Sequence, residues 1–259
     1  MKTIILAGGL GTRLSEVTHA IPKPMVEVGH RPMLWHILKT YSHYGFKEFY
    51  LALGYKSEVI KQFFMNFYQL SNDIVVNIGT GEMEAQGNNS EDWVVHLIET
   101  GLHTNTGGRV RRLRDHIGKD TFMLTYGDGV TDIDVQALVA FHEKQKARGK
   151  LVTVSAVRPP SRFGGLVIEG DDVADFTEKP QIGEGWINGG YMVCEPELFD
   201  YLGSDDDSLE SVALERVAED GKLSAYRHNG FWQCMDTLRD VRKMDSLWRE
   251  GNAPWKVWD

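Results

Sequence analysis

No stretch of the sequence stays apolar for long enough to cross a membrane, and the amino terminus does not carry a charged run followed by an apolar one. A membrane-inserted or exported chain is therefore not expected. Cysteine is nearly absent. Only Cys194 and Cys234 occur, without metal-ligand spacing, which excludes a disulfide scaffold or zinc ribbon and points to a reduced, cytoplasmic protein. Positive charge is also in deficit: 28 lysines and arginines face 37 aspartates and glutamates, for a net charge of −9. Nucleic acid is thus not an expected partner, nor is a membrane. An anionic substrate has to be met by a local cluster of cations. The nine histidines show neither ligand spacing nor the context of a catalytic triad. Linker-like, low-complexity and repeated segments are missing too, so the 259 residues are read as one domain with an elaborated second half.

What is present starts with Lys2-Thr3-Ile4-Ile5-Leu6-Ala7, a short apolar run with a β-branched centre that reads as a buried parallel strand. It leads into Gly8-Gly9-Leu10-Gly11-Thr12-Arg13-Leu14. Glycines at three of four positions let the backbone turn sharply and approach a ligand, and the N–H groups of such a loop suit phosphate. A P-loop needs Lys-Ser or Lys-Thr after the last glycine, where this chain has Thr12-Arg13. The dinucleotide fingerprint needs a glycine where Leu14 stands. Neither fits. Arg13 nevertheless supplies a permanent cation able to fork onto phosphate oxygens. Lys23 follows in Pro22-Lys23-Pro24-Met25, held on a stiff strut by its two prolines. The plain alternative is a tight turn with two solvated cations.

Strands and helices then alternate. Helices are expected over 32–44, 57–68 (capped by Ser57), 107–117 and 135–148, and strands over 49–53, 74–78, 93–98, 121–126 and 151–157. The polar, glycine-rich stretch 79–92 reads as a loop or flap. These elements form a doubly wound, mostly parallel, Rossmann-like α/β sheet, giving a nucleotide-binding half over about 1–157. After Val157 the rhythm changes. Short strands over 159–178, broken by glycines, suggest an added β-hairpin region. A strand over 186–194, helices over 197–202 and 208–220, a strand over 223–228 and a helix over 237–250 complete a second half, about 158–259.

Tyr126-Gly127-Asp128-Gly129 stands at the carboxyl end of a strand, where open α/β sheets bind ligands. A carboxylate there, flanked by glycines, suits Mg²⁺, which takes one or two carboxylates plus phosphate oxygens. An Asp-Gly turn is the plain alternative. Asp236, in Trp232-Gln233-Cys234-Met235-Asp236-Thr237, is either a second carboxylate or the N-cap of the last helix.

Taken whole, the glycine string and Pro22-Lys23-Pro24-Met25 resemble the signature of the sugar-phosphate nucleotidyltransferases, and the resemblance covers nearly the entire chain. It implies a nucleotidyltransferase-type mixed sheet in which Leu6, Ala7, Gly8, Gly9, Gly11, Thr12 and Arg13 hold a nucleoside triphosphate. It gives Arg13 and Lys23 catalytic roles, with Lys23 neutralising charge at the α-phosphate, and places Mg²⁺ on Asp128 and Asp236, with Asp128 also beside the nucleotide. Phe163-Gly164-Gly165, Glu178-Lys179-Pro180 and Asn188-Gly189-Gly190 resemble three segments around the sugar phosphate. By that likeness Lys179 meets the phosphate and Glu178 accepts a sugar hydroxyl, while Gly165, Asn188 and Gly189 line the sugar.

Thr104-Asn105-Thr106-Gly107-Gly108-Arg109 departs from the thymidylyl and uridylyl branches and is similar to the cytidylyl one. So are Gly230-Phe231-Trp232-Gln233 and Ala253-Pro254-Trp255-Lys256-Val257-Trp258. The likeness implies CTP and glucose 1-phosphate as substrates, with Thr104, Gly108 and Arg109 at the nucleotide and the glycine pair opening backbone groups to the base. A homo-oligomer is expected. The same chemistry with another sugar phosphate, or with UTP or dTTP, stays open. So does a non-catalytic regulatory paralogue, which would be expected to lose Arg13, Lys23 or an aspartate.

Other features have plainer readings. Arg111, Arg112 and Arg114 form a solvated helix face, and Asp205-Asp206-Asp207 supplies negative charge ahead of the helix starting near Ser208. Phe63, Phe64, Phe67 and Tyr68 pack at helical spacing. Trp248, Trp255 and Trp258 serve either a subunit contact or packing within the chain.

Overall fold

The strand β1, Thr3–Leu6, is apolar on both faces because both are covered. A computed structural model describes the chain over residues 1–14, 18–87, 89–159, 165–169, 172–177 and 185–259. After β1 come α1 (Met33–His43), β2 (Glu48–Leu53), α2 (Ser57–Leu70), β3 (Val94–Glu99), α3 (Thr106–Arg112) and β4 (Phe122–Tyr126). Beyond them lie α4 (Val135–Lys146), β5 (Val152–Val157), β6 (Ile187–Cys194), β7 (Leu223–Arg227) and α5 (Leu238–Arg249). The seven strands make one sheet in the order β3-β2-β1-β4-β6-β5-β7, in which β6 alone runs antiparallel to its neighbours. The expected doubly wound, mostly parallel α/β sheet is what forms.

Period-2 alternation sends neighbouring residues of β1 to opposite cores. Ile5 packs in a cluster with Leu34, Leu138 and Met244 from α1, α4 and α5. Ile4 and Leu6 join Val110 of α3 and Val217 on the other face. The added hairpin pairs Gly165–Glu169 with Asp172–Thr177.

Several local expectations change. Asp73–Val76 does not join the main sheet but pairs with Met83–Gln86, inside the stretch read as a loop, to form a separate ribbon. Ser57 opens α2 without capping it; its hydroxyl donates to Glu99 at 2.7 Å, and Lys56 before it is left-handed. The helix expected over 107–117 breaks at Leu113 into α3 and Arg114–Ile117. The one expected over 208–220 is a π-helix, Leu209–Leu214, followed by Glu215–Glu219. Phe63, Phe64 and Phe67 pack on the core as expected, but Tyr68 is exposed.

The tryptophans pack within the chain. Trp255 is fully buried, and Trp35, Trp248, Trp255 and Trp258 surround His36. His36 Nδ1 accepts from Trp255 Nε1 at 3.4 Å, while its Nε2 faces Val28 O at 2.8 Å. A neutral ring protonated at Nε2 satisfies both. Burial pushes the His36 pKa down to about 4 from 6.5. Below pH ~6.5 the unfolded chain takes up a proton that the folded ring refuses until pH ~4, so this stabilisation is present above that window and lost within it, by about 3 kcal/mol. The melting temperature of His36→Phe, which cannot titrate, should therefore fall less between pH 7 and pH 4 than that of the wild type. Parallel curves would remove His36 from the pH response.

Candidate active site

From β1 the chain runs outward to β2 and β3, then returns to β4 on the other side of β1. The carboxyl ends of β1 and β4 are therefore the switch point at which an open α/β sheet leaves a crevice. Leu6 lies opposite Tyr126 across the two strands, so the glycine loop and Gly127-Asp128 emerge side by side. A cavity of about 750 Å³ opens there.

Its walls include Leu6, Ala7, Gly8, Gly9, Gly11, Thr12, Lys23, Thr104, Arg109 and Asp128 of the expected nucleotide residues, together with Asp236. Asn188 and Gly189 line a recess of about 40 Å³ that shares Tyr126 and Asp128 with the main cavity. Gly165 opens the strand Gly165–Glu169. The Arg13 side chain, Glu178 and Lys179 lie outside the described residues.

Three of the expected residues converge on one point. Lys23 Nζ donates to Asp128 Oδ2 at 2.6 Å and to Asp236 Oδ1 at 2.7 Å, across 105 and 213 residues of sequence. Pro22, in extended conformation, delivers Lys23 to the short 3-10 turn Lys23–Met25. Asp236 arrives by a ribbon: Trp232–Cys234 pairs antiparallel with Gly129–Thr131, Cys234 opposite Gly129, and Met235 N then donates to Asp128 O at 2.8 Å. Burial opposes the ammonium charge, yet the two carboxylates together outweigh it and raise the Lys23 pKa. Asp236 is not a helix cap. Thr237 caps α5, in a reciprocal capping box with Asp240, which leaves the Asp236 carboxylate to Lys23.

Arg109 lines the cavity but is committed to the protein backbone. Its guanidinium donates to the carbonyls of Leu53 (3.0 Å), Gly101 (2.7 Å), Gly8 (2.9 Å) and Leu102 (3.3 Å), and to Thr100 Oγ1 at 2.8 Å. It ties the glycine loop to the ends of β2 and β3. Gly8 has no alternative, since a Cβ there would stand 2.3 Å from Arg109 Nη1. Arg109 thus braces the loop from beneath while it lines the cavity. Arg109→Lys keeps the charge but loses the fork, leaving carbonyls unpaired at about 1–3 kcal/mol. Denaturant unfolding and triphosphate titration should both weaken. Lost affinity at unchanged stability would instead make Arg109 a direct ligand.

Gly107 and Gly108 are corrected. Their N–H groups donate to Asp207 O at 2.9 and 3.2 Å, and a Cβ on Gly108 would lie 2.4 Å from Asp205 O. The pair permits close packing against 205–209 rather than opening the backbone to a base, and Gly108 is not a cavity wall. Residues 102–106 and Asp206 make a further wall of the cavity, which includes the first three residues of the segment 104–109 singled out in the sequence. Asp205, expected to supply negative charge ahead of the next helix, pairs with Arg112 and, at 2.8 Å, with Arg111; Arg114 pairs with Asp200 at 2.6 Å. Arg112 and Arg111 hold the Asp205 carboxyl well below the usual range.

Tyr126 was missed, although it adjoins the Gly127-Asp128 motif. It borders both the cavity and the recess. Thr106, from the segment 104–109 singled out in the sequence, also lines the cavity.

The chain is similar over its whole length to glucose-1-phosphate cytidylyltransferase from Salmonella typhi, at 46% identity with 100% of both chains covered. The enzyme of the same name from Salmonella typhimurium matches equally, at 46%. Among solved structures, HddC from Yersinia pseudotuberculosis shares the fold with a TM-score of 0.67 at 23% identity, covering 95% of this chain and 99% of that one. UDP-glucose pyrophosphorylase complexed with UDP-glucose does so with a TM-score of 0.66 at 16% identity, covering 96% and 98%. With a match to the nucleotidyl transferase family over residues 2–253, the chain belongs to that family.

Proposed function

We propose that this chain transfers CMP from CTP to the phosphate of α-D-glucose 1-phosphate, forming CDP-glucose and releasing diphosphate. The observation that carries the proposal is Lys23 held between Asp128 and Asp236 at the switch-point cavity, in a chain alike end to end to enzymes named for that reaction. An oxygen of the sugar phosphate attacks the α-phosphorus in line, and the bond to diphosphate breaks on the opposite side. The nucleophile is already an anion, so no base and no covalent intermediate are needed. The barrier lies in bringing two polyanions together, which makes positioning and charge neutralisation the catalytic means. Two of the three N–H groups of Lys23 go to the aspartates, which leaves the third for an oxygen of the α-phosphate. Arg13, on the turn Thr12–Leu14 after the glycine loop, adds a second cation.

A divalent metal fits the donor set. Two hard carboxylate oxygens already converge on one positive centre. Mg²⁺ takes one or two carboxylates and completes its shell with water and phosphate oxygens, and we assign it to Asp128 and Asp236. Bound there, it would lower the charge of the triphosphate.

Cytosine offers an amino donor where uracil has a carbonyl. We infer that the 102–106 wall presents acceptors that would pair with the first and repel the second, and one unsatisfied buried group costs about 1–3 kcal/mol. CTP should therefore exceed UTP and dTTP at least about tenfold in kcat/KM, read as diphosphate release with glucose 1-phosphate. Equal rates with UTP would leave nucleotidyl transfer standing and remove the cytidylyl assignment.

Further readings accompany this one. Since the single sheet draws strands from both halves, we read residues 1–259 as one catalytic domain. The ribbon exposes Val75, Val76, Ile78 and Met83 beside a groove of about 320 Å³ lined by Phe64, Phe67, Tyr68 and Trp93. These exposed apolar side chains support a homo-oligomer. Among the described residues no helix is long and apolar enough to cross a membrane. Both cysteines are free thiols, which supports a cytoplasmic setting.

A further inference from the structure

The carboxylate of Glu210 lies outside the residues assigned to either substrate, yet it touches the walls of both sites. It sits in the π-helix Leu209–Leu214, a rare geometry that recurs at functional positions. Glu210 Oε1 accepts from the Tyr126 phenol at 2.5 Å. Its Oε2 accepts from Thr106 Oγ1 at 2.9 Å and from Ser208 Oγ at 2.8 Å. Thr106 in turn accepts from Leu209 N at 2.9 Å. One carboxylate thus gathers three hydroxyl donors from three separate segments.

Two of those donors belong to opposite sides of the site. Thr106 is the first residue of α3 and part of the base-side wall. Tyr126 closes β4, one glycine before Asp128, and lines both the main cavity and the recess of Asn188 and Gly189. The ring packs so closely on the sugar-side backbone that a Cβ on Gly190 would fall 2.6 Å from Tyr126 Cδ2. Asn188 is a further polar neighbour of the phenol and accepts from Gly190 N at 2.9 Å. A half-buried carboxylate is a costly way to gain stability alone, whereas a fully satisfied polar network fixes geometry.

We propose that Glu210 is a positioning residue that sets the base-side wall through Thr106 and the sugar-side wall through Tyr126, so that both substrates meet in one register. The identities of the two substrates rest on the cytidylyl-transfer reading above. The positioning itself rests on the three hydrogen bonds.

Single-arm variants separate this from a purely structural tether. Tyr126→Phe keeps the ring and loses the phenol. It should raise KM for glucose 1-phosphate about fivefold and leave KM for CTP within about twofold, on the scale of one lost hydrogen bond. Thr106→Val should do the reverse and lower the CTP-to-UTP preference about fivefold, with rescue by Thr106→Ser. Glu210→Ala should show both effects, and Glu210→Gln, which keeps one acceptor oxygen, smaller ones. Calorimetric dissociation constants for a non-hydrolysable CTP analogue and for glucose 1-phosphate provide the same split without turnover.

Glu210→Ala with a lowered melting temperature but both constants and the base preference unchanged would reduce Glu210 to a tether and overturn the proposal. If Glu210→Ala does not fold, the single-arm variants decide, and a shift of the same constant by both, or of neither, overturns it. A wild type that joins a different nucleotide to a different sugar phosphate would remove the substrate reading. The split, measured on that pair, would still decide the role of Glu210.

Discussion

Lys23→Ala is expected to lower turnover by about 10²-fold or more, the scale of removing one preorganised electrostatic group. The ammonium stands between Asp128 and Asp236, at 2.6 and 2.7 Å. Its removal takes a donor from the α-phosphate and a cation from between the two carboxylates. Lys23→Arg should not restore activity, because a planar fork does not replace a compact charge with three donors. The turn around residue 23 is set by Pro22 and Pro24, and the fold should survive. Turnover with CTP and glucose 1-phosphate, with circular dichroism as the control for folding, checks this. Near-normal turnover in a folded Lys23→Ala protein would defeat the assignment.

Chelation is expected to abolish activity, and Asp236→Asn to raise the Mg²⁺ concentration for half-maximal rate about tenfold or more, the scale of losing one charged ligand interaction. Asparagine keeps an acceptor for Lys23 but discards the charge that a hard cation requires. Asp128→Asn should behave alike, since both aspartates hold the same ammonium. Thr237 and Asp240 carry the capping of α5, so neither change should melt that helix. Mn²⁺ binding followed by paramagnetic resonance gives the affinity independently of turnover. An unchanged metal affinity in Asp236→Asn would confine Asp236 to orienting Lys23.

The strand-and-helix alternation, the glycine loop, Lys23 and Asp128 were legible because each is local: a hydrophobic period, a proline clamp, or a motif at the end of a strand. Asp236 was ambiguous because the feature that aims it, the pairing of Gly129–Thr131 with Trp232–Cys234, joins two three-residue strands too short to show a period. The partners of Arg109 and of the Gly107-Gly108 pair were not legible, for a different reason. Residue type announces that a guanidinium seeks oxygen and that glycine permits close approach, but not whether the oxygens are phosphates or backbone carbonyls. Here they are the carbonyls of Gly8, Leu53, Gly101 and Leu102, and the close approach is to Asp205. The π-helix carrying Glu210 was illegible as such, since its apolar spacing reads as an ordinary helix.

Identifying the nucleotide product by mass spectrometry, after incubation of the purified protein with CTP, UTP, glucose 1-phosphate and Mg²⁺, tests the proposed activity most directly. The expected result is CDP-glucose as the main sugar nucleotide, formed with an equal amount of diphosphate. UDP-glucose formed in equal or greater amount, or no nucleotide sugar at all, would contradict it.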